Sequence, residues 1–164
     1  MNNITEKNEN KVLYTALTAV CFLVLGFFSA LLTGQSETYG ELVKPPLSPP
    51  PQLFAVVWSI LYVVIGGVNG SVFFGDDECM SKNARNGLFF AFIGFLLNLI
   101  WYPLFFGKGQ LLGALVDIAL LFVLNLIAII EFRRIKPIYG YLLIPYAIWL
   151  AFAFYLNLGF VILN

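Results

Sequence analysis

Five apolar runs, each about as long as a lipid bilayer is thick, constrain this chain more than any other feature. They extend from about Val12 to Thr33, Leu53 to Phe74, Gly87 to Phe106, Leu111 to Ile130 and Tyr141 to Leu163. A hydrocarbon core of roughly 30 Å takes about 20 residues of helix. Lipid offers no partner to an unpaired backbone group, so the helix is the form in which each run satisfies itself. A transmembrane barrel would alternate in polarity over short segments, and these runs do not alternate. The expected fold class is therefore an all-α integral membrane protein, one domain over residues 1–164 built as a five-transmembrane-helix bundle. The first run follows Lys7 and Lys11, as in a signal peptide. It is too long for such an h-region and shows no small-residue cleavage site, so it reads as a retained span.

Composition narrows the function. Of the 164 residues 60% are hydrophobic and 11% charged, against about 25% charged in a soluble domain. Nine Lys/Arg balance nine Asp/Glu, which leaves no surplus positive charge for nucleic acid. There is no histidine, and with it goes the commonest general base, metal ligand and haem ligand. Two cysteines, Cys21 and Cys79, are too few for a disulfide framework or a closed zinc site, and Cys21 reads as a small hydrophobe in its apolar run. No metal site is expected. The partner implied directly is the lipid bilayer. Lys7, Lys11, Lys82, Arg85, Arg133, Arg134 and Lys136 fall on one side of the membrane, and only Lys44 and Lys108 on the other. That asymmetry places the N-terminus in the cytoplasm if the membrane is a bacterial cell membrane.

The connections differ in character. Gly107-Lys108-Gly109-Gln110 makes a tight turn, and the loop near Gly75–Asn86 is acidic at Asp76, Asp77 and Glu78. The long first loop, residues 34–51, holds Lys44-Pro45-Pro46-Leu47-Ser48-Pro49-Pro50-Pro51. Prolines at this density remove amide donors and restrict their predecessors, so the segment is expected to be stiff and extended, like polyproline II. Two readings stand side by side: a lid over the bundle mouth, or a rigid connector that opens the second span. No fixed-period repeat is present, and five spans do not divide into two equal inverted halves.

Polar groups inside spans generally face the bundle interior. The second span carries Trp58, Tyr62 and Asn69 on one helical face; the third carries Asn98, Trp101, Tyr102 and Phe105. The fourth carries Asp117 and Asn125, and the fifth Pro145, Tyr146, Trp149, Ala153 and Asn157. Trp101 and Tyr102 also fit an interfacial aromatic belt, Asp117 a hydrogen bond to a neighbouring helix, and Asn157 a packing lock. Trp58 and Trp149 lie about two turns inside their spans, where an indole N–H needs an acceptor. Two such indoles with Asn98 fit a cavity for a flat, largely apolar ligand. Gly66 with Gly70, Gly87 with Ala91, and Gly26 with Ala30 allow close helix approach, within a chain or between two. No catalytic constellation is present: no G-x-S-x-G, no phosphate loop and no histidine dyad.

Three segments together resemble the TspO/MBR family, the tryptophan-rich sensory or translocator proteins. They are Lys44-Pro45-x-x-x-Pro49-Pro50 with Val57-Trp58-x-x-Leu61-Tyr62-x-x-x-Gly66; Leu97-Asn98-x-x-Trp101-x-Pro103-x-Phe105-Phe106-Gly107 with Ala114-Leu115-Val116-Asp117; and Pro145-Tyr146-x-x-Trp149-x-x-Phe152-Ala153 with Leu156-Asn157. The resemblance implies a five-helix bundle, often a homodimer, with a pocket beneath the first loop for porphyrins and related tetrapyrroles. Its ligand-binding residues would be Trp58, Tyr62, Asn98, Trp101, Tyr146, Trp149 and Ala153, under a lid with Lys44, Pro45, Pro49 and Pro50. The porphyrin would be a ligand in transport, sensing or disposal, not a resident cofactor. Without histidine a metal-free macrocycle is the easier occupant. Some bacterial members are reported to degrade protoporphyrin in light, which makes an enzyme the alternative, with no catalytic residue assigned. A structural protein with an incidental cavity is a third reading. The chain departs from the family pattern at Leu47, where a Trp is usual. Its C-terminal run also lacks the Tyr and basic residue of the sterol pattern in animal members.

Overall fold

The computed structural model describes residues 2–33, 40–75 and 80–164, with side chains from residue 9 onward. Residues 34–39 of the first loop, and Asp76, Asp77, Glu78 and Cys79, lie outside the described residues. The elements are α1 (Asn2–Thr33), α2 (Pro51–Phe73), α3 (Lys82–Tyr102), a π-helical turn (Pro103–Gly107), α4 (Leu111–Arg133), α5 (Pro137–Leu142) and α6 (Ile144–Leu163). Five stretches are long and apolar enough to cross a bilayer, α5 and α6 together forming the last, Pro137–Leu163. The chain is thus a multi-pass integral membrane protein.

Helix ends follow local chemistry. Pro51 opens α2 at a position where the missing amide costs nothing. Ser81 caps α3, its Oγ accepting from the Ala84 amide at 3.1 Å. Both α3 and α4 run further at their charged ends than the apolar runs alone indicate, starting at Lys82 and ending at Arg133, because polar residues continue a helix past the hydrocarbon boundary. Pro103 lacks the amide that would extend α3 normally, and the chain widens into the π-turn, with the Lys108 N–H donating to the Pro103 carbonyl at 3.0 Å. Gly109, at φ 59°, then reverses the chain in a conformation that glycine takes without strain. Pro145 acts similarly in the last span. It has no N–H for the Tyr141 carbonyl, and the helix breaks at Leu143 between α5 and α6.

The helices close a ring. α1 packs on α2, α3 on α4, α4 on α6, and α1 on α3. Aromatic side chains complete the circuit between α2 and α6: Trp58 meets Trp149 edge-to-face at 6.5 Å, and Phe54 meets Trp149 at 5.6 Å. Large apolar side chains such as Phe28, Leu31, Ile60, Phe92, Val123 and Ile162 point outward, as a lipid-facing surface requires.

The small-residue faces are used inside the chain. A Cβ on Gly66 would lie 2.6 Å from the Ala19 Cα, and one on Gly70 2.9 Å from the Thr15 Cα, so these glycines bring α1 and α2 backbones together. A Cβ on Gly87 would lie 2.4 Å from the Phe132 ring of α4. Of the two readings, contact within a chain or between two, the Gly87 face makes the first. Below this level the core is solid: Phe132, Ile118 and Leu150 are completely buried.

The proline-rich segment is not uniformly extended. It turns at Pro45-Pro46-Leu47-Ser48, with the Ser48 N–H donating to the Pro45 carbonyl at 3.3 Å and Leu47 at φ 65°. Only the following stretch is polyproline-like, Pro50 lying at φ −65°, ψ 149°. The turn needs a positive φ at its third position, which a leucine adopts at a cost of about 1 kcal/mol.

Candidate functional site: an aromatic cavity with a hydrogen-bonded floor

Between α1, α2 and α3, at the first-loop end of the bundle, lies a cavity of about 520 Å³. α2 contributes Phe54, Ala55, Trp58, Ser59 and Tyr62, and α3 with its π-turn contributes Asn98, Trp101, Tyr102 and Phe106. The face of α1 toward it carries Gly26, Phe27 and Ala30, and Gly40 and Pro51 stand at the loop side. None of these described lining residues bears a formal charge. The volume suits a drug- or pigment-sized molecule.

Each expected site residue has a definite place. Trp58, Tyr62, Asn98 and Trp101 line the cavity. Trp58 stacks on Tyr62 at 5.5 Å, with planes 28° apart. Tyr146 does not line it but stands behind the floor. The Tyr62 hydroxyl donates to Asn98 Oδ1 at 2.6 Å, and Asn98 Nδ2 donates to the Tyr146 oxygen at 3.0 Å. Three helices are joined by this buried chain. With its proton given to Asn98, the Tyr62 oxygen has only lone pairs left. The floor can therefore accept a hydrogen bond from the N–H or O–H of an occupant.

Trp149 is likewise outside the lining. It sets its ring edge against Trp58, and its indole N–H is buried without a hydrogen-bond partner among the described residues. Ala153 is also outside the lining; it is buried, and its carbonyl accepts from Asn157 Nδ2 at 2.7 Å. Asn157 Oδ1 in turn accepts from the Trp101 indole N–H at 3.2 Å. Trp101 is only 6% exposed and stacks on Phe105 at 5.3 Å. It is an interior residue, and the aromatic-belt reading is set aside for it. Asp117 is buried, and its Oδ2 has no hydrogen-bond partner among the described residues.

None of the four lid residues lines the cavity, and of them Pro45 packs against α6. Pro45 is buried over Gly159, where a Cβ would come within 2.5 Å of it. The Asn164 side chain grips the backbone of Val43 at both ends, accepting from its N–H at 2.8 Å and donating to its carbonyl at 3.1 Å. Tyr155 donates to the Pro46 carbonyl at 3.1 Å. Lys44 is exposed, Pro49 partly so, and Pro50 leads into α2.

Sequence reasoning missed the α1 wall. Gly26 and Ala30 stood out as a small pair, and that smallness is the signal: a Cβ on Gly26 would lie 2.2 Å from the Tyr62 ring. Tyr102, singled out on the third span but not among the expected binding residues, lines the cavity; Phe54 and Phe106 gave no separate sign, since a cavity-lining aromatic and a core aromatic look alike in sequence.

The fold and this site define a class: a five-helix membrane protein with an uncharged, aromatic internal cavity beneath a latched first loop. Comparison with known proteins agrees. Residues 17–163 match the model of the TspO/MBR family. The tryptophan-rich protein TspO of Chlorobaculum tepidum is 35% identical over 159 residues, covering 95% of this chain and 99% of that one. The translocator protein of Bos taurus is 35% identical over 134 residues, 80% of this chain and 79% of its own. The protein CrtK of Rhodobacter capsulatus is 32% identical over 121 residues, 73% of each. The chain belongs to the TspO/MBR family.

Proposed function

We propose that this protein binds porphyrins or similar flat, apolar tetrapyrroles inside the membrane and acts in their transport, sensing or disposal. The observation that carries the reading is the cavity of about 520 Å³, walled by Trp58, Tyr62 and Trp101, with Asn98 at its floor. Ring faces give a macrocycle stacking surface, worth about 0.5–1.5 kcal/mol per aromatic pair beyond area burial. The lone pairs on the Tyr62 oxygen suit an outward-facing N–H or O–H of the ligand, such as an open-chain tetrapyrrole carries. The uncharged lining requires any carboxylates on the ligand to stay at the mouth, because a buried unpaired carboxylate is prohibitively costly. We further place the protein as a homodimer in a bacterial cell membrane with its N-terminus in the cytoplasm, on the strength of the basic-residue asymmetry and the family resemblance.

The test is a protoporphyrin titration of the detergent-solubilised protein, read by tryptophan fluorescence and by porphyrin absorbance. Trp58→Leu is expected to weaken binding about tenfold; an unchanged affinity would remove the cavity from the account. A second reading, light-driven oxidation of the bound porphyrin by dissolved dioxygen, which takes up the electrons, is favoured by the contact of Trp58 with Trp149 at 6.5 Å. It requires illuminated porphyrin to bleach faster with the protein than without it.

A further inference from the structure

A second, much smaller cavity lies behind the floor of the first, on the far side of Tyr146. Its volume is about 10 Å³, and its lining includes Asn69 of α2, Asn125 of α4 and Tyr146 of α6 among apolar residues. That is about the room one water needs, provided two to four polar partners surround it. The three polar side chains supply complementary groups. Asn125 is 6% exposed, and its Nδ2 is a buried donor with no partner among the described residues. Tyr146 accepts from Asn98, so its own hydroxyl proton remains to be given. Asn69 has committed its Nδ2 to the Ile65 carbonyl at 2.8 Å, which leaves its Oδ1 as an acceptor.

We infer that this cavity is a binding site for a single ordered water, held by Asn125, Tyr146 and Asn69. The three side chains offer the water three hydrogen bonds, the usual number for a buried water. The water accepts from Asn125 Nδ2 and from the Tyr146 hydroxyl, and donates to Asn69 Oδ1. The chain then runs in one direction, from Tyr62 through Asn98 and Tyr146 to the water and back to Asn69 on the helix where it began. α2, α3, α4 and α6 are tied by one circuit, in which the buried Asn125 Nδ2 and the Tyr146 hydroxyl proton both gain a partner. The water also fixes the sense of the whole chain: with the Tyr146 proton drawn toward it, the Tyr146 oxygen is left to accept from Asn98. The site stands independently of what the large cavity binds.

Asn125→Leu tests it, because the sign of the change separates the two cases. If the water is present, the leucine expels it and strands the Tyr146 hydroxyl and Asn69 Oδ1, so the melting temperature falls by roughly 2–4 °C. If the site is dry, the wild-type Asn125 N–H is an unsatisfied buried donor, and its removal leaves the melting temperature unchanged or raised. Steric misfit could also lower it, so a direct observation accompanies the variant. In the wild-type protein a crystal structure at high resolution is expected to show one density peak within hydrogen-bond distance of all three side chains. A cavity without such a peak, or one closed by a shifted side chain, overturns the assignment whatever the variant does.

Discussion

The two halves of this bundle are built from the same helices and pack in opposite ways. In the half beneath Ser81 and Arg133, buried Phe132, Ala128 and Val72 have no polar side-chain atoms to satisfy, and Phe132 closes onto the bare backbone of Gly87. In the half beneath the first loop, rings carry polar tips, and three of them are tied: Tyr62 and Tyr146 to Asn98, and Trp101 to Asn157. A ring pinned by its hydrogen bond cannot slide to fill the space beside it. Small residues at Gly26, Ala30 and Ala55 leave that space open. The difference teaches that the cavity arises from polar satisfaction, which holds aromatics apart, and not from a shortage of apolar bulk.

Substitutions can break the two halves separately. The largest effect is expected from Phe132→Ala in the solid half, about 3–5 kcal/mol by analogy with core truncations, read as a fall in melting temperature of roughly 10 °C. Protoporphyrin affinity of the molecules that remain folded should stay within about twofold, since the ring lies far from the cavity. Asn98→Leu, in the open half, strands the Tyr62 and Tyr146 hydroxyls and should cost about 1–3 kcal/mol. Unlike the first variant, it should lower stability and affinity together; loss of only one would separate the floor from the site. The smallest effect is expected from Gly159→Ala, whose Cβ would collide with Pro45 at 2.5 Å. It should leave the melting temperature nearly unchanged while loosening the first loop, seen as faster proteolysis within residues 40–50 and a faster porphyrin association rate.

Much of the fold was legible because bilayer thickness translates directly into run length. The five spans, Pro51 at the head of α2 and the turn at Gly109 follow from residue chemistry alone. The break at Leu143 was not, because a single proline in an apolar run reads equally as a kink or a helix start. The proline-rich segment reads as extended throughout, since nothing in Pro-Pro-Leu-Ser announces a leucine at positive φ. At the site, Trp58, Tyr62, Asn98 and Tyr146 were recognisable as polar or aromatic groups out of place in lipid. Their pairings, and the α1 wall of Gly26, Phe27 and Ala30, depend on which helices neighbour one another, and apolar periodicity does not encode that order.

The most direct test fills the cavity without removing any of its groups. Ala30→Phe places a ring in the open space, and Ala16→Phe, on the exposed face of the same helix, adds equal bulk elsewhere. With both variants folded, titration with protoporphyrin is expected to show binding at least about tenfold weaker for the first, a difference of roughly 1.4 kcal/mol, and unchanged for the second. Equal, wild-type affinity in both would mean that the porphyrin binds somewhere other than this cavity.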